Sequence, residues 1–412
     1  MTHYFADWIL PIAGRPIPDG WVAVDDGRVV AVGRRRAAGE PSARRELGRV
    51  ALLPGLVNAH THLELSHLRA AVPPASCFTG WVQRAIAGRQ AFPDAADPAI
   101  LDAARRGIAE ARAAGTVLVG DVSNTLVTIP LLNEAGLAAR VFFELVKFNP
   151  EDPVALVRDA RERVAGAPAT DRVRVALAPH APYSVAPLLF RAMRADLDRH
   201  PFEPSSVHVA ESAEEVEFIE AGTGPWPEIL RRLGAWNPNW VPPGTTPVGY
   251  LADAGFLDAR VLAVHGVRCT AADLARLASL GSSLVTCPRS NRWVGAGEPP
   301  ISAFYASGVR VAFGTDSLAS VEDLNVFAEM AEAHRLAPDV APARLVESAT
   351  LIGAEALGFG AEYGSIEPGK QAALIAVALP DGVDDVEACL VSGVEPTRIT
   401  WVNPQSTLRN PQ

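Results

Sequence analysis

Lysine is nearly missing from this 412-residue sequence, in which Lys147 and Lys370 are the two lysines among 37 basic residues. Genome composition accounts for such a bias, but it leaves few amines for chemistry. The four cysteines, Cys77, Cys269, Cys287 and Cys389, lie far apart and form no CxxC pair. That excludes a disulfide scaffold and a thiolate zinc cluster, points to a reducing compartment, and leaves the cysteines to be read as core residues. No long apolar run occurs, and the opening MTHYFADWIL lacks a basic region followed by an apolar stretch and a cleavage site. A cytoplasmic protein without membrane association is the expectation. No basic run stands beside aromatics and the net charge is −10, so a nucleic-acid groove is not expected and small-molecule partners are favoured. What is present is 49% apolar residues, 33 glycines and 34 prolines. Such a chain can bury a large core, and at about 150 residues per domain its length allows two to three domains or one large barrel with additions.

The first fifty residues read as short strands: Trp8–Leu10, Trp21–Val24, then Arg28–Gly33 after the turn Asp25-Asp26-Gly27. The last fifty resemble them, with Gly364–Ile366 and Ala373–Val377 around the turn Glu367-Pro368-Gly369-Lys370, then Trp401-Val402. Two β-rich ends around a different middle suggest one small sheet domain built from both termini. Between them lie eight strand candidates: Gly55–Ala59, Thr116–Asp121, Arg140–Leu145, Arg172–Ala178, Ser206–Ala210, Val261–His265, Ser282–Thr286 and Arg310–Gly314. Helical stretches alternate with them; Leu101, Ala104, Ile108 and Ala111 form one apolar stripe, stopped by Gly115. A doubly wound sheet is the alternative, but eight consecutive units fit an α/β fold of the (β/α)8 TIM-barrel kind better. The stretch from Gly222 to Tyr250, with Trp226, Trp236 and Trp240, reads as a loop excursion over the barrel mouth.

In that register, polar residues fall at the ends of apolar runs. His60 and His62 close the first strand, His180 follows the fourth, His208 and Glu211 close the fifth, His265 the sixth, and Asp316 follows the eighth. All would face the C-terminal mouth, where strand ends converge. His-Thr-His alone is weak evidence, and a satisfied core histidine is its alternative. Residues i and i+2 of a strand share a side, however, so His60 and His62, with His208 and the Asp316 carboxylate, offer the N and O donors that zinc prefers. Zinc can bring the pKa of a bound water to about 7, which makes a hydrolytic centre. Glu211 is then placed to carry a proton, against its reading as a carboxylate at a helix start, and His265 to orient the water or stabilise charge, against a core histidine.

Together, Leu53-Pro54-Gly55-Leu56-Val57-Asn58-Ala59-His60-Thr61-His62, Ala178-Pro179-His180-Ala181-Pro182-Tyr183-Ser184, His208-Val209-Ala210-Glu211, Ala263-Val264-His265-Gly266, Cys287-Pro288-Arg289-Ser290-Asn291 and Gly314-Thr315-Asp316-Ser317 carry a resemblance. The chain resembles the amidohydrolase superfamily, in particular its purine and nucleoside deaminase branch, over nearly its whole length. The resemblance implies a metal-bearing barrel at 54–361 and a β-sandwich formed from 1–53 with 362–412. It implies that His60, His62, His208 and Asp316 bind one divalent ion, Zn²⁺ by preference, with Fe²⁺ or Mn²⁺ also accepted by such a donor set. It further implies that Glu211, His265 and Asp316 handle protons and that His180 and Ser320 contact substrate. A second metal, bridged in many relatives by a carboxylated lysine, is not expected: Lys370 falls in the terminal sheet and Lys147 beyond a strand end with no ligand pattern. Ala373 departs from the family, which often has Asp there. The implied reaction is attack of a metal-activated water on an amidine carbon such as C6 of adenine, with Glu211 protonating the adjacent ring nitrogen and ammonia leaving.

The segment Phe78–Arg89 after the first strand contains no acid. In relatives acting on thio-nucleosides a carboxylate is expected hereabouts for the ribose hydroxyls. Arg84 and Arg89 suggest instead a substrate that carries an anion, against their reading as solvated helix arginines. The opening His60-Thr61-His62-Leu63-Glu64-Leu65-Ser66 looks like that of the aminodeoxyfutalosine deaminases of menaquinone biosynthesis. Deaminases of S-adenosylhomocysteine or methylthioadenosine, guanine deaminases and aryl chlorohydrolases are the alternatives, and a metal-free assembly protein is a reading of another class. The oligomeric state stays open, a homodimer being ordinary.

Overall fold

The computed structural model describes residues 1–38 and 43–402, so that 39–42 and 403–412 of the expected terminal domain lie outside the described residues. In chain order the strands are β1 (Thr2–Ile9), β2 (Ile17–Asp25), β3 (Arg28–Arg34), β4 (Ala43–Glu46), β5 (Val50–Pro54), β6 (Leu56–Thr61), β7 (Thr116–Ser123), β8 (Ala138–Leu145), β9 (Val173–Pro179), β10 (Ser205–Val209), β11 (Val261–His265), β12 (Ser283–Thr286), β13 (Arg310–Phe313), β14 (Leu374–Ala378) and β15 (Ile399–Trp401). Both ends of the chain meet in a seven-stranded sheet of order β15-β14-β5-β1-β2-β3, with β4 paired to β1. The hairpin β2–β3 turns on Asp26 and Gly27, both at positive φ (44° and 71°), the backbone that a two-residue turn between twisted strands requires. Gly364–Ile366 is not a strand. Gly364 sits at φ 91° and Ile366 N–H bonds only to the Pro11 carbonyl, so the segment touches the sheet without extending along it.

β6 to β9 and β10 to β13 form two four-stranded parallel sheets in sequence order. Backbone bonds join their outer strands: His208 N–H donates to the His180 carbonyl (2.8 Å), and the N–H groups of Thr315 and Asp316 donate to the His60 carbonyl (3.1 and 3.0 Å). Side chains from one face of these strands, including Val57, Ala59, Phe142, Ala176, Leu262, Val264, Val285 and Ala312, bury one another as the twofold alternation of a strand dictates. Helices cover the other face. One of them, Pro98–Ala113, starts where the Asp97 carboxylate accepts the Ala99 N–H, with Pro98 in the first turn, and buries Ala104, Ile108 and Ala111.

Two expectations need correction here. Residues 222–250 are loop only in part: 233–246 are irregular, but the segment also contains the helix Trp226–Arg232 and leads into Pro247–Asp253, Trp226 stacks on Tyr183 at 3.9 Å, and Trp240 stacks on Phe218 at 4.4 Å. Trp226 is buried in the core, and Trp236 and Trp240 pack half-buried against it. The cysteines are not uniformly core residues either; Cys287 is buried, Cys269 and Cys389 are half-buried, and Cys77 is exposed just before the helix Phe78–Gln90. Among the described residues no helix is long and apolar enough to cross a membrane.

Candidate active site

The pairing of β6 with β7 shifts register between Asn58 and Thr61, where the strand ends and its histidines emerge. Asp316, in a left-handed conformation (φ 60°), is tied to the same spot by its N–H bond to the His60 carbonyl. His62 Nε2 lies 3.6 Å and His60 Nε2 3.9 Å from Asp316 Oδ1, and His208 Nε2 lies 3.3 Å from His62 Nε2. Donors about 2.0–2.1 Å from one ion at tetrahedral angles stand roughly 3.3 Å apart, so these spacings suit a shared cation. His60 is 1% exposed and neither of its ring nitrogens has a hydrogen-bond partner, an orphaned buried pair that a ligated ion would satisfy. His208 Nδ1 is bonded to the His180 carbonyl (2.9 Å), which turns its Nε2 lone pair toward the others. Burial, reinforced by the neighbouring imidazoles, keeps all three rings neutral: His60 falls well below the ordinary range, His62 to about 3 and His208 to about 4. Neutral imidazole is the ligating form.

Glu211 and His265 face the same point, with His265 Nε2 3.6 Å from Glu211 Oε1. Burial first, then the charge of Asp316 and of Glu215, pushes the Glu211 carboxyl well above the usual range. The short helix Pro288–Trp293 supports two of these groups at once: Ser290 Oγ donates to Asp316 Oδ2 (2.7 Å) and the Asn291 amide is bonded to His265 Nδ1 (3.0 Å). Ser320 is buried behind Asp316, with Oγ 2.9 Å from Ser290 Oγ, and does not line the cavity in front of it.

That cavity, of about 220 Å³, is lined by His62, His180, His208, Glu211, His265 and Asp316 at its floor. One face of the helix Phe78–Gln90 supplies a wall: Phe78, Trp81, Val82, Ala85, Ile86 and Arg89 recur at helical spacing, and Leu65, Leu68, Val146 and Tyr183 complete it. Arg84 falls off that face and is exposed. No residue of 222–250 lines the cavity. Lys147 is exposed and lines no part of it, while Lys370 Nζ is bonded to Ser365 and Glu367 in the terminal region.

The structure adds two carboxylates to the sequence reading. Glu64 is buried, accepts from Ser123 Oγ, Thr125 Oγ1 and Asn124 N–H, and lies 3.3 Å from Arg89 Nη2, while Arg89 Nη1 donates to Asn124 Oδ1. Glu144, buried at the end of β8, accepts from Asn124 Nδ2 and lies 3.6 Å from His208 Nδ1. Glu144 interrupts the apolar run Arg140–Leu145, the same signal that singles out the other strand-end residues. Glu64 carries no such local signal, because its donors come from the next strand.

Residues 51–403 match the amidohydrolase family. The chain is 33% identical over 365 residues to an aminodeoxyfutalosine deaminase of Deinococcus radiodurans, covering 82% of each chain. It is 34% identical over 376 residues to a 5-methylthioadenosine/S-adenosylhomocysteine deaminase of Halobacterium salinarum, covering 88% of this chain and 80% of that one. A zinc-bound adenosine deaminase structure from Xanthomonas campestris superposes with a TM-score of 0.82 at 29% identity, over 97% of this chain and 90% of that one.

Proposed function

The chain belongs to the amidohydrolase family and is a deaminase within it, and from that premise we propose that it converts 6-amino-6-deoxyfutalosine, an adenine nucleoside bearing a benzoate, to futalosine and ammonia, a cytoplasmic step of menaquinone biosynthesis. The observation that carries the reading is the wall made by one helix face: four apolar or aromatic side chains, Phe78, Trp81, Val82 and Ile86, line the cavity together with the cation Arg89. Such a wall suits an aryl ring that ends in a carboxylate. S-adenosylhomocysteine is the second reading. Glu144, near Arg89 on the same cavity, would meet an ammonium beside a carboxylate.

In this reading His60, His62, His208 and Asp316 hold one divalent ion, taken to be Zn²⁺. When bound, it lowers the pKa of a water to about 7 and so makes hydroxide available at neutral pH. Glu211 accepts the proton of the attacking water and delivers it to the ring nitrogen beside the amidine carbon, a task suited to a carboxyl pushed upward by burial. His265 presents Nε2 to the same point, and Asp316 takes the remaining proton and passes it to the departing amino group, which leaves as ammonia. His180 borders the base and Arg89 meets the substrate carboxylate. Ser320 then supports Asp316 from behind. The two four-stranded sheets are read as halves of one (β/α)8 barrel at 54–361, beside a composite domain of 1–53 with 362–412.

Ammonia release across 6-amino-6-deoxyfutalosine, adenosine, S-adenosylhomocysteine, guanine and N-acyl compounds tests the reading. The benzoate-bearing nucleoside should give the highest kcat/KM. S-adenosylhomocysteine as the better substrate would overturn the assignment in favour of the second reading.

A further inference from the structure

His208 and Glu211 are three residues apart, and strand alternation would send them to opposite sides. Both nevertheless line the same cavity. The reversal occurs at Ala210, whose φ of 51° is a left-handed backbone that side chains other than glycine seldom adopt. Something must hold it there. Glu215 Oε1 accepts the Ala210 N–H (3.0 Å) and Oε2 the Glu211 N–H (2.8 Å), while the Arg268 N–H holds the Ala210 carbonyl (2.7 Å).

Glu215 is wholly buried, and among the described residues no cation forms an ion pair with it. A glutamate three residues after an N-cap ordinarily reaches back to the cap residue, here Ser212, whose Oγ accepts the Glu215 N–H. This carboxylate meets the Ser212 backbone as well but spans further, placing one oxygen on each of the two residues before the cap. Burying an unpaired carboxylate is costly, and capping alone does not need both oxygens spent upstream. We propose that Glu215 is a positioning residue for proton transfer: its carboxylate clamps the left-handed turn at Ala210 and thereby keeps Glu211 on the cavity side with His208. The inference rests on the proton-carrying role given to Glu211 above.

Glu215→Gln tests it, because the amide nitrogen cannot accept one of the two N–H groups. Metal content and KM should match the wild type while kcat falls roughly ten- to hundredfold, the scale of a displaced catalytic group. Adding Ala210→Gly should recover part of kcat, since glycine takes positive φ without strain. Wild-type kcat in Glu215→Gln overturns the proposal, as does an equal loss of metal and activity. A crystal structure of the variant gives a readout free of any substrate: Glu211 should be displaced from its position beside His265, and finding it in place with Ala210 still left-handed would refute the clamp even if no nucleoside in the panel is deaminated. If Glu215→Gln does not fold, Glu215→Asp, too short to reach both N–H groups, is judged by the same measurements.

Discussion

At the scale of the residue, ion binding and proton transfer are assigned to different side chains only three positions apart, and each should fail differently. Glu211→Gln keeps the shape but cannot accept a proton, so kcat should fall by roughly 10²–10⁴-fold with the ion retained. His208→Ala should lose ion and activity together, because a three-donor remnant binds weakly. Metal content measured beside kcat decides: a Glu211→Gln protein without its ion makes Glu211 a ligand, and one with normal turnover removes it from the mechanism. That these residues gather at one place was legible because each closes an apolar run. Their supports were not. Ser290 and Asn291 read only as part of a motif, since Asp316 and His265, which they hold, arrive from other strands. Glu64 likewise gains its meaning from Ser123, Asn124 and Thr125, some sixty positions away.

Among the elements, the helix Phe78–Gln90 shows what a sequence window leaves undecided. Arg84 and Arg89 are equivalent by composition, and the helix phase separates them: Arg89 shares the face of Phe78, Trp81, Val82, Ala85 and Ile86, and Arg84 does not. Arg89→Ala should therefore lower kcat/KM for the benzoate-bearing nucleoside by roughly tenfold or more, the worth of a charge-assisted hydrogen bond, and change adenosine little. Arg84→Ala should change neither; an equal loss on both substrates in Arg89→Ala would make that residue structural. A second element carries a pH dependence. Glu329, on the helix Val326–Leu336, is wholly buried, accepts the Arg289 N–H, and faces the Arg289 guanidinium at 3.7 Å with Asp323 and Glu332 nearby. Burial outweighs the arginine and pushes its carboxyl up to about 8. A carboxyl raised on folding contributes stability that is complete below its ordinary value near 4.5 and is lost as pH rises toward 8. Urea unfolding should show the wild type losing stability between pH 5 and 8 relative to Glu329→Gln; parallel profiles would place the folded value near the ordinary one. The eight middle strands were readable to within a residue or two because their apolar runs are short and bounded, whereas in the terminal sheet β1 starts six residues before Trp8, β2 four before Trp21, and β4 and β5 gave no strand signal. The segment 222–250 is irregular over 233–246, as its prolines and glycines suggest, but the helix Trp226–Arg232 gave no separate signal.

Over the whole molecule, the scarcity of lysine becomes a statement about the number of ions. A second cation beside the first would need a bridging anionic ligand at the floor of the cavity. Lys147 is exposed and off the lining, and Lys370 is bonded to Ser365 and Glu367 in the terminal region, so neither amine reaches the place. The remaining acids there have other occupations: Glu144 receives Asn124, Glu215 receives the backbone of Ala210 and Glu211, and Glu64 faces Arg89. Of the three donor groups that the described residues offer, that of His60, His208 and His265 shares His60 with the group of His60, His62 and Asp316, and His208 with the group of Glu144, His180 and His208, so together they favour one ion over two separate ones. Purified protein should therefore carry about one divalent ion per chain, and chelation should abolish ammonia release until the ion is restored. Because the proposed ligands lie on or just beyond β6, β10 and β13, its removal should also lower the thermal midpoint, as expected for a ligand bound by the folded state alone. Elemental analysis finding two ions per chain, with activity requiring both, would defeat the single-ion arrangement and with it the place given to Glu211 as a residue free to carry the proton.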